Sequence, residues 1–515
     1  MKLIKALCLA GSLVACTTIG DGDDTSTGPG PTPAPTLDHE GIVTSPRHGG
    51  AKQTGDLVVD GFYSDPGATV TIEHWNPISQ SWLAAATGTS SATATSDGSA
   101  RPLYAFHVPV ALDSAAWPAG GLVSLRVRIG DAALPSFDAE PQTQQCIDGR
   151  ATWHDRAASC ASGLGTLTLV DTDVSPPASS HRFLDIKGQS APADVQAYYQ
   201  VIGAPTSLQA FLTTYGLDAP NTPTLTYYNL GDLATGREIR CKPHLTAAGT
   251  GVACTTFNYG QFGTTTEADA LDLAVTGRSS GSGWFANVSM VYDPPITAPN
   301  AVKFMVYGPT GALQTQAKLD SRGDNTSIPN NCLNCHGSDS SYNAAAHQAT
   351  GARFLPFDPS AFVFSDRTGV TRNDQEATMR VLNQDFLLAA PSDALADAVT
   401  TWYGGDSSLP GVADTSAVPE AWRGPDSAPL YRNVVAVACR GCHASRSDDL
   451  AFATPAQFRA QSAAIIGAIC GNSDSAHAMP SAEASLARFW SGPARAYIAG
   501  FFGPDAMGAC VPSGS

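Results

Sequence analysis

Two runs in this 515-residue chain have a spacing that few chemistries use: Cys332-Leu333-Asn334-Cys335-His336 and Cys439-Arg440-Gly441-Cys442-His443. Cys-x-x-Cys-His is the attachment signature of a c-type haem. On a helical turn, positions i, i+3 and i+4 share one face. Two thiols then reach the two vinyl groups of one macrocycle, and the following histidine stands under the iron. With 12 cysteines and 11 histidines in the chain, about 0.006 chance copies are expected, so two copies are not an accident. Zinc is the competing use of such cysteines. It wants four ligands at each site, and no second Cys-x-x-Cys or His-x-x-x-His lies close to either run. The expected cofactors are two covalently bound haem c groups, held by Cys332 and Cys335 and by Cys439 and Cys442, with His336 and His443 on the irons.

Over its last third the chain resembles class I c-type cytochromes. Segment 430–439 has the apolar period of a helix and ends in the second motif. Met479-Pro480 follows, and then 484–502, a predicted final helix containing Phe489, Trp490 and Tyr497. The resemblance implies that these two helices pack together and that Met479 is the sixth iron ligand. Methionine opposite histidine raises a reduction potential. His477 and Met507 compete for that role. The first motif departs from the family pattern. Its candidates are Met379, inside a predicted helix at 373–387 with no proline after it, and His347 in an Ala-Ala-Ala-His run. The Phe354-Leu355-Pro356-Phe357 segment is expected against the first porphyrin.

Where such a protein works is written at its N-terminus. Lys2 and Lys5 precede a short apolar run at 6–15, too short to span a bilayer. It ends Leu13-Val14-Ala15-Cys16, which resembles a bacterial lipobox. The resemblance implies a signal peptide at 1–15, cleavage before Cys16 and acylation of that residue. Thr17 and Thr18 follow in place of the Asp that retains lipoproteins at the inner membrane, so the expected location is the outer membrane, facing the periplasm or outside. Residues 16–38 are rich in Gly, Thr, Asp and Pro and read as a flexible tether. No further apolar stretch reaches 18 residues, so no transmembrane helix is expected in the mature chain.

Export also suits the remaining cysteines. Once Cys8, Cys16 and the four motif thiols are set aside, Cys146, Cys160, Cys241, Cys254, Cys470 and Cys510 are left. An even number in an exported chain suggests three disulfides, for which 15 connectivities exist. Pairing 146–160, 241–254 and 470–510 is expected, because each pair falls inside one proposed domain.

Those domains are a β-sandwich at 39–138, a β-rich middle domain at 139–325, and cytochrome units at 326–407 and 408–515. In the first, segments 57–63, 70–75, 104–110 and 122–129 alternate or cluster β-formers between turn signals. Short strands at this spacing resemble an immunoglobulin-like sandwich. The middle domain mixes helical stretches at 192–202 and 207–215 with strand-like pieces at 225–229, 252–257, 284–292 and 302–307. The expected fold class is therefore multidomain: immunoglobulin-like sandwich, mixed α/β middle domain and an all-α di-haem C-terminal region.

Charge narrows the partners. The net charge is −17, and no lysine follows Lys318. A basic footprint for nucleic acid is missing. An electrostatically steered redox partner would present a positive or neutral surface, and acylated Cys16 would supply the membrane contact. The leading expectation is a membrane-anchored di-haem electron carrier with no catalytic residues of its own. Two rivals use the same residues: a di-haem peroxidase or oxidase, and a surface-binding protein in which haem is accessory.

Overall fold

Alternating burial builds the N-terminal part of the molecule. Strand Leu57–Tyr63 buries every second residue, as a sheet with one wet face requires. It lies in a four-stranded sheet ordered Tyr104–Val110, Leu57–Tyr63, Gly41–His48, Ser136–Asp138. A second sheet runs Ser81–Thr89, Thr69–Asn76, Leu122–Ile129, Ala132–Ala133, with Leu167–Val170 also paired to Leu122–Ile129. Leu57, Val59, Val70, Ile72, Phe106, Leu125 and Val127 form their shared core. Coordinates come from a computed structural model that describes residues 41–51, 57–76, 79–95, 102–111, 121–138, 165–170, 183–295, 302–321, 326–337, 340–424, 426–471, 477–503, 506 and 510. Cys16, the tether, the Cys146 and Cys160 pair and Met507 lie outside the described residues.

The centre of the fold is a six-stranded antiparallel sheet. Its order is Val302–Tyr307, Ala286–Tyr292, Gly249–Tyr259, Gly236–Thr246, Thr224–Asn229, Phe362–Val363. Helix Glu267–Ser280, capped by the Thr266 side chain, covers one face. Two glycines permit that approach. A Cβ on Gly236 would meet the Ala270 carbonyl oxygen at 1.9 Å, and one on Gly277 would meet the Tyr259 ring at 2.1 Å. Helices Pro192–Val201 and Leu208–Tyr215 form where the spacing predicts them. The first buries Val195, Tyr198 and Tyr199, and Ser207 caps the second. Cys241 and Cys254 are direct cross-strand neighbours and are bonded, as are Cys470 and Cys510.

The fold expectation is corrected at the C-terminal end, which is not all-α. Strands Thr326–Ser327, Ser341–Asn343, Gln348–Thr350 and Phe362–Val363 lie among the helices there. Phe362–Val363 completes the central sheet by pairing with Tyr228 and Asn229. Its Phe362 ring stacks on Tyr227 at 3.8 Å. One hydrophobic core runs from Val195 through Leu333, Phe354, Met379 and Trp402 to Ala444. The molecule is thus β-rich, with several antiparallel sheets and helices set between them, and does not end in an all-α region. Strands of two or three residues are too short to carry an alternation, so tertiary pairing alone makes them.

Two expected helices also differ in detail. Segment 430–439 forms helix Ser427–Leu430 and then a wider, π-type winding at Tyr431–Cys439. Segment 484–502 is broken into Glu483–Ser491 and Ala494–Phe502. The break falls at Gly492-Pro493, where proline has no N–H to continue the first helix.

Candidate functional site

The first motif closes one helical turn. Helix Asn330–Leu333 continues through Asn334, and the amide of His336 donates to the Cys332 carbonyl at 3.0 Å. The turn is pinned from outside: Asn334 Nδ2 donates to Leu184 O at 2.7 Å and Asn330 Nδ2 to Lys187 O at 2.9 Å. His336 places Nδ1 3.0 Å from the Arg353 carbonyl. A proton on Nδ1 fixes the tautomer that leaves Nε2 with a free lone pair. Burial, partly opposed by that carbonyl, lowers the His336 pKa to about 4, so the ring is neutral at pH 7.

An equivalent turn forms at Arg440–His443. His443 Nδ1 lies 2.8 Å from the Leu450 carbonyl, and Phe452 stacks on the ring at 4.7 Å. Burial lowers this pKa too. Among the sulfurs, burial pushes the Cys332 and Cys439 thiols up to about 12. A nucleophilic or metal-binding cysteine has the opposite environment, one that favours thiolate.

The cavity beside His443 holds the expected distal residue. Met479 and Pro480 line it together with Cys439, Cys442, His443, Ile465 and Ile469. His477 does not line it. Its ring sits edge-on to Trp490 at 5.5 Å.

The cavity beside His336 is built differently, because its floor is the central sheet. Strand alternation puts Tyr227, Arg237, Ile239, Cys254, Thr256, Asn258, Val288, Met290, Phe304 and Val306 on the face opposite helix Glu267–Ser280, and all of them line this cavity. Phe354, Leu355, Pro356 and Phe357 form part of its wall, where the sequence places them. Met379 is elsewhere: it is buried on helix Arg372–Leu388 with Leu382 and Phe386 and does not line the cavity. His347, at φ 51° in the turn between Ser341–Asn343 and Gln348–Thr350, does not line it either. The residues that sequence reasoning missed are those of the sheet face. Their alternation is visible in the sequence, but which face meets the motif is not.

The two cavities meet. Gly231, Asp232, Cys335 and Gly441 line both. The Cys335 thiol is hydrogen-bonded to the Cys442 thiol, and that contact, together with burial, raises its pKa well above the ordinary thiol value. Ser445 Oγ donates to the carbonyls of Cys335 and Cys442, at 3.3 and 2.7 Å. Arg440, inside the second motif, reaches into the first cavity. There it pairs with Asp358, donates to Ser360 Oγ at 2.7 Å and to Tyr431 Oη at 2.9 Å, and lies over the Trp402 ring.

The residues present fit haem c. Each site has two thiols and a neutral imidazole on one turn beside a largely apolar cavity, and a methionine thioether lines each cavity, Met290 the first and Met479 the second. Among the described residues no group of three or more His, Cys, Asp or Glu side chains is placed to hold a metal ion, so the four-ligand set of a structural zinc site is not assembled there. No family model and no curated protein matches the chain. Among the described residues no helix is long and apolar enough to cross a membrane.

Proposed function

We propose that this chain is a di-haem c-type cytochrome that moves electrons at the cell envelope, tethered through an acylated Cys16. The observation that carries the reading is the contact between the two motifs. Cys335 and Cys442 touch, and the cavities beside His336 and His443 share a wall. Cys332, Cys335 and His336 would hold one haem; Cys439, Cys442 and His443 would hold the other, with Met479 as sixth ligand. Bound haem supplies one reversible electron per iron.

The protein's own contribution is burial, orientation and proximity. The Arg353 and Leu450 carbonyls fix the two imidazoles, which raises their basicity toward a metal. Apolar walls tune the potential by excluding water.

The test is to express the chain in a host that matures c-type cytochromes and count haems by pyridine haemochrome and intact mass. Two thioether-linked haems per chain are expected, and one in the Cys439→Ala/Cys442→Ala variant. Colourless protein, or pigment extracted by acidified acetone, overturns the reading. Radiolabelled fatty acid that enters the wild type but not Cys16→Ala checks the anchor.

A further inference from the structure

We propose that Met290, on the central sheet, is the sixth iron ligand of the haem held by His336. The inference rests on the di-haem reading and names a residue from outside both motif regions. Met290 lies on Ala286–Tyr292, paired on both edges, and its cross-strand partners are Cys254 and Phe304. The Phe304 ring lies 5.4 Å from the His336 ring. Neighbouring strands are about 4.8 Å apart, so the thioether is one strand spacing from the ring that rests on the proximal histidine. Met290 and His336 line the same cavity.

Elimination points the same way. Of the other lining side chains able to donate to iron, Asp232 is paired with Arg237 at 2.8 Å and Asp358 with Arg440. Tyr227 is hydrogen-bonded to Arg237, and burial raises its phenol pKa to about 12. Cys254 is in a disulfide. Met305, next in the sheet, pairs with Ser289 and so faces away.

The surroundings suit a thioether. Val288, Val306, Ile239, Phe354 and Phe357 share the cavity and keep its sheet side apolar. The row Cys241, Cys254, Met290, Phe304 crosses four strands and is stapled at one end by the disulfide. Ligands on rigid elements hold their geometry better than ligands on loops.

The experiment uses the full chain, and haemochrome first confirms two haems in every variant, so loss of haem would fail the parent reading and not this one. The readouts are the red sulfur-to-iron absorption band, the ferric spin state and the two midpoints. Met290→Leu keeps the volume of the side chain. It should remove about half of the wild-type band, convert one haem to high spin and lower one midpoint. Met479→Ala should remove the other half, and the double variant all of it. Met290→His should restore low spin without the band. Met379→Leu should change none of these. If Met290→Leu leaves band and midpoints unchanged, or Met479→Ala alone abolishes the whole band, the assignment is overturned.

Discussion

The thiols of Cys335 and Cys442 are hydrogen-bonded to each other, although they belong to motifs far apart in the chain. Each is the second cysteine of its motif, so the two motifs meet at these sulfurs. Two haems joined there would be neighbours at their thioether edges. The oxidised two-haem protein should therefore show an electron paramagnetic resonance spectrum that is not the sum of the two single-motif variants, Cys332→Ala/Cys335→Ala and Cys439→Ala/Cys442→Ala. A simple sum would mean that the centres do not interact.

Arg440 couples the two halves by charge. Its guanidinium and the Asp358 carboxylate are both largely buried, at 7% and 16% side-chain exposure. Removing one partner of such a pair strands a charge and costs about 3–5 kcal/mol, whereas replacing both by apolar groups is close to neutral. Arg440→Met should lower the denaturant midpoint strongly, and Arg440→Met/Asp358→Leu should recover most of the loss. Equal destabilisation by single and double variants would show that the pair is not the cause.

As the proposed sixth ligand, Met479 would set the potential of the second haem. Methionine raises a haem potential relative to other common ligands. Met479→His should keep that haem low-spin but lower one midpoint, and leave the other where it was, in a spectroelectrochemical titration. A shift of both midpoints by the same amount would point to a global change.

His48 makes the fold acid-sensitive. It is fully buried and packs edge-on against Tyr497 at 5.0 Å, which joins the N-terminal sheets to the last helix. Burial lowers its pKa from 6.5 to about 4, against a smaller opposing effect of the Thr166 carbonyl. The unfolded chain takes up the proton near 6.5 and the folded one only near 4. The neutral ring's contribution is complete above pH 6.5 and is lost as pH falls through that window, up to ~3 kcal/mol. Urea midpoints measured from pH 7 to 4 should fall more steeply in the wild type than in His48→Phe. Parallel slopes would refute this.

What was legible in the sequence was what is local. The two motif turns, the cap at Ser207 and the buried side of 192–202 follow from spacings within a few residues. The 241–254 disulfide was within reach for the same reason, since its cysteines flank one hairpin. The all-α reading of the C-terminal region failed at Phe362–Val363, where two residues pair with Tyr228 and Asn229, far earlier in the chain. Met290 was hidden because a strand's two faces alternate identically whichever one lines the cavity. The contact of Cys335 with Cys442 has no local signature at all.

The cavity beside His336 is assembled from both directions of the chain. Its sheet floor is synthesised before Cys332, but the walls at Phe354–Phe362, Leu395, Ala398 and Ala436–Gly441 come after it. On the proposed reading, an exported chain would present its first pair of sulfurs with a roof still missing, and haem would be loaded from the open side. Translocation order would then act as the assembly jig: the second motif, arriving last, shuts the compartment that the first one opened.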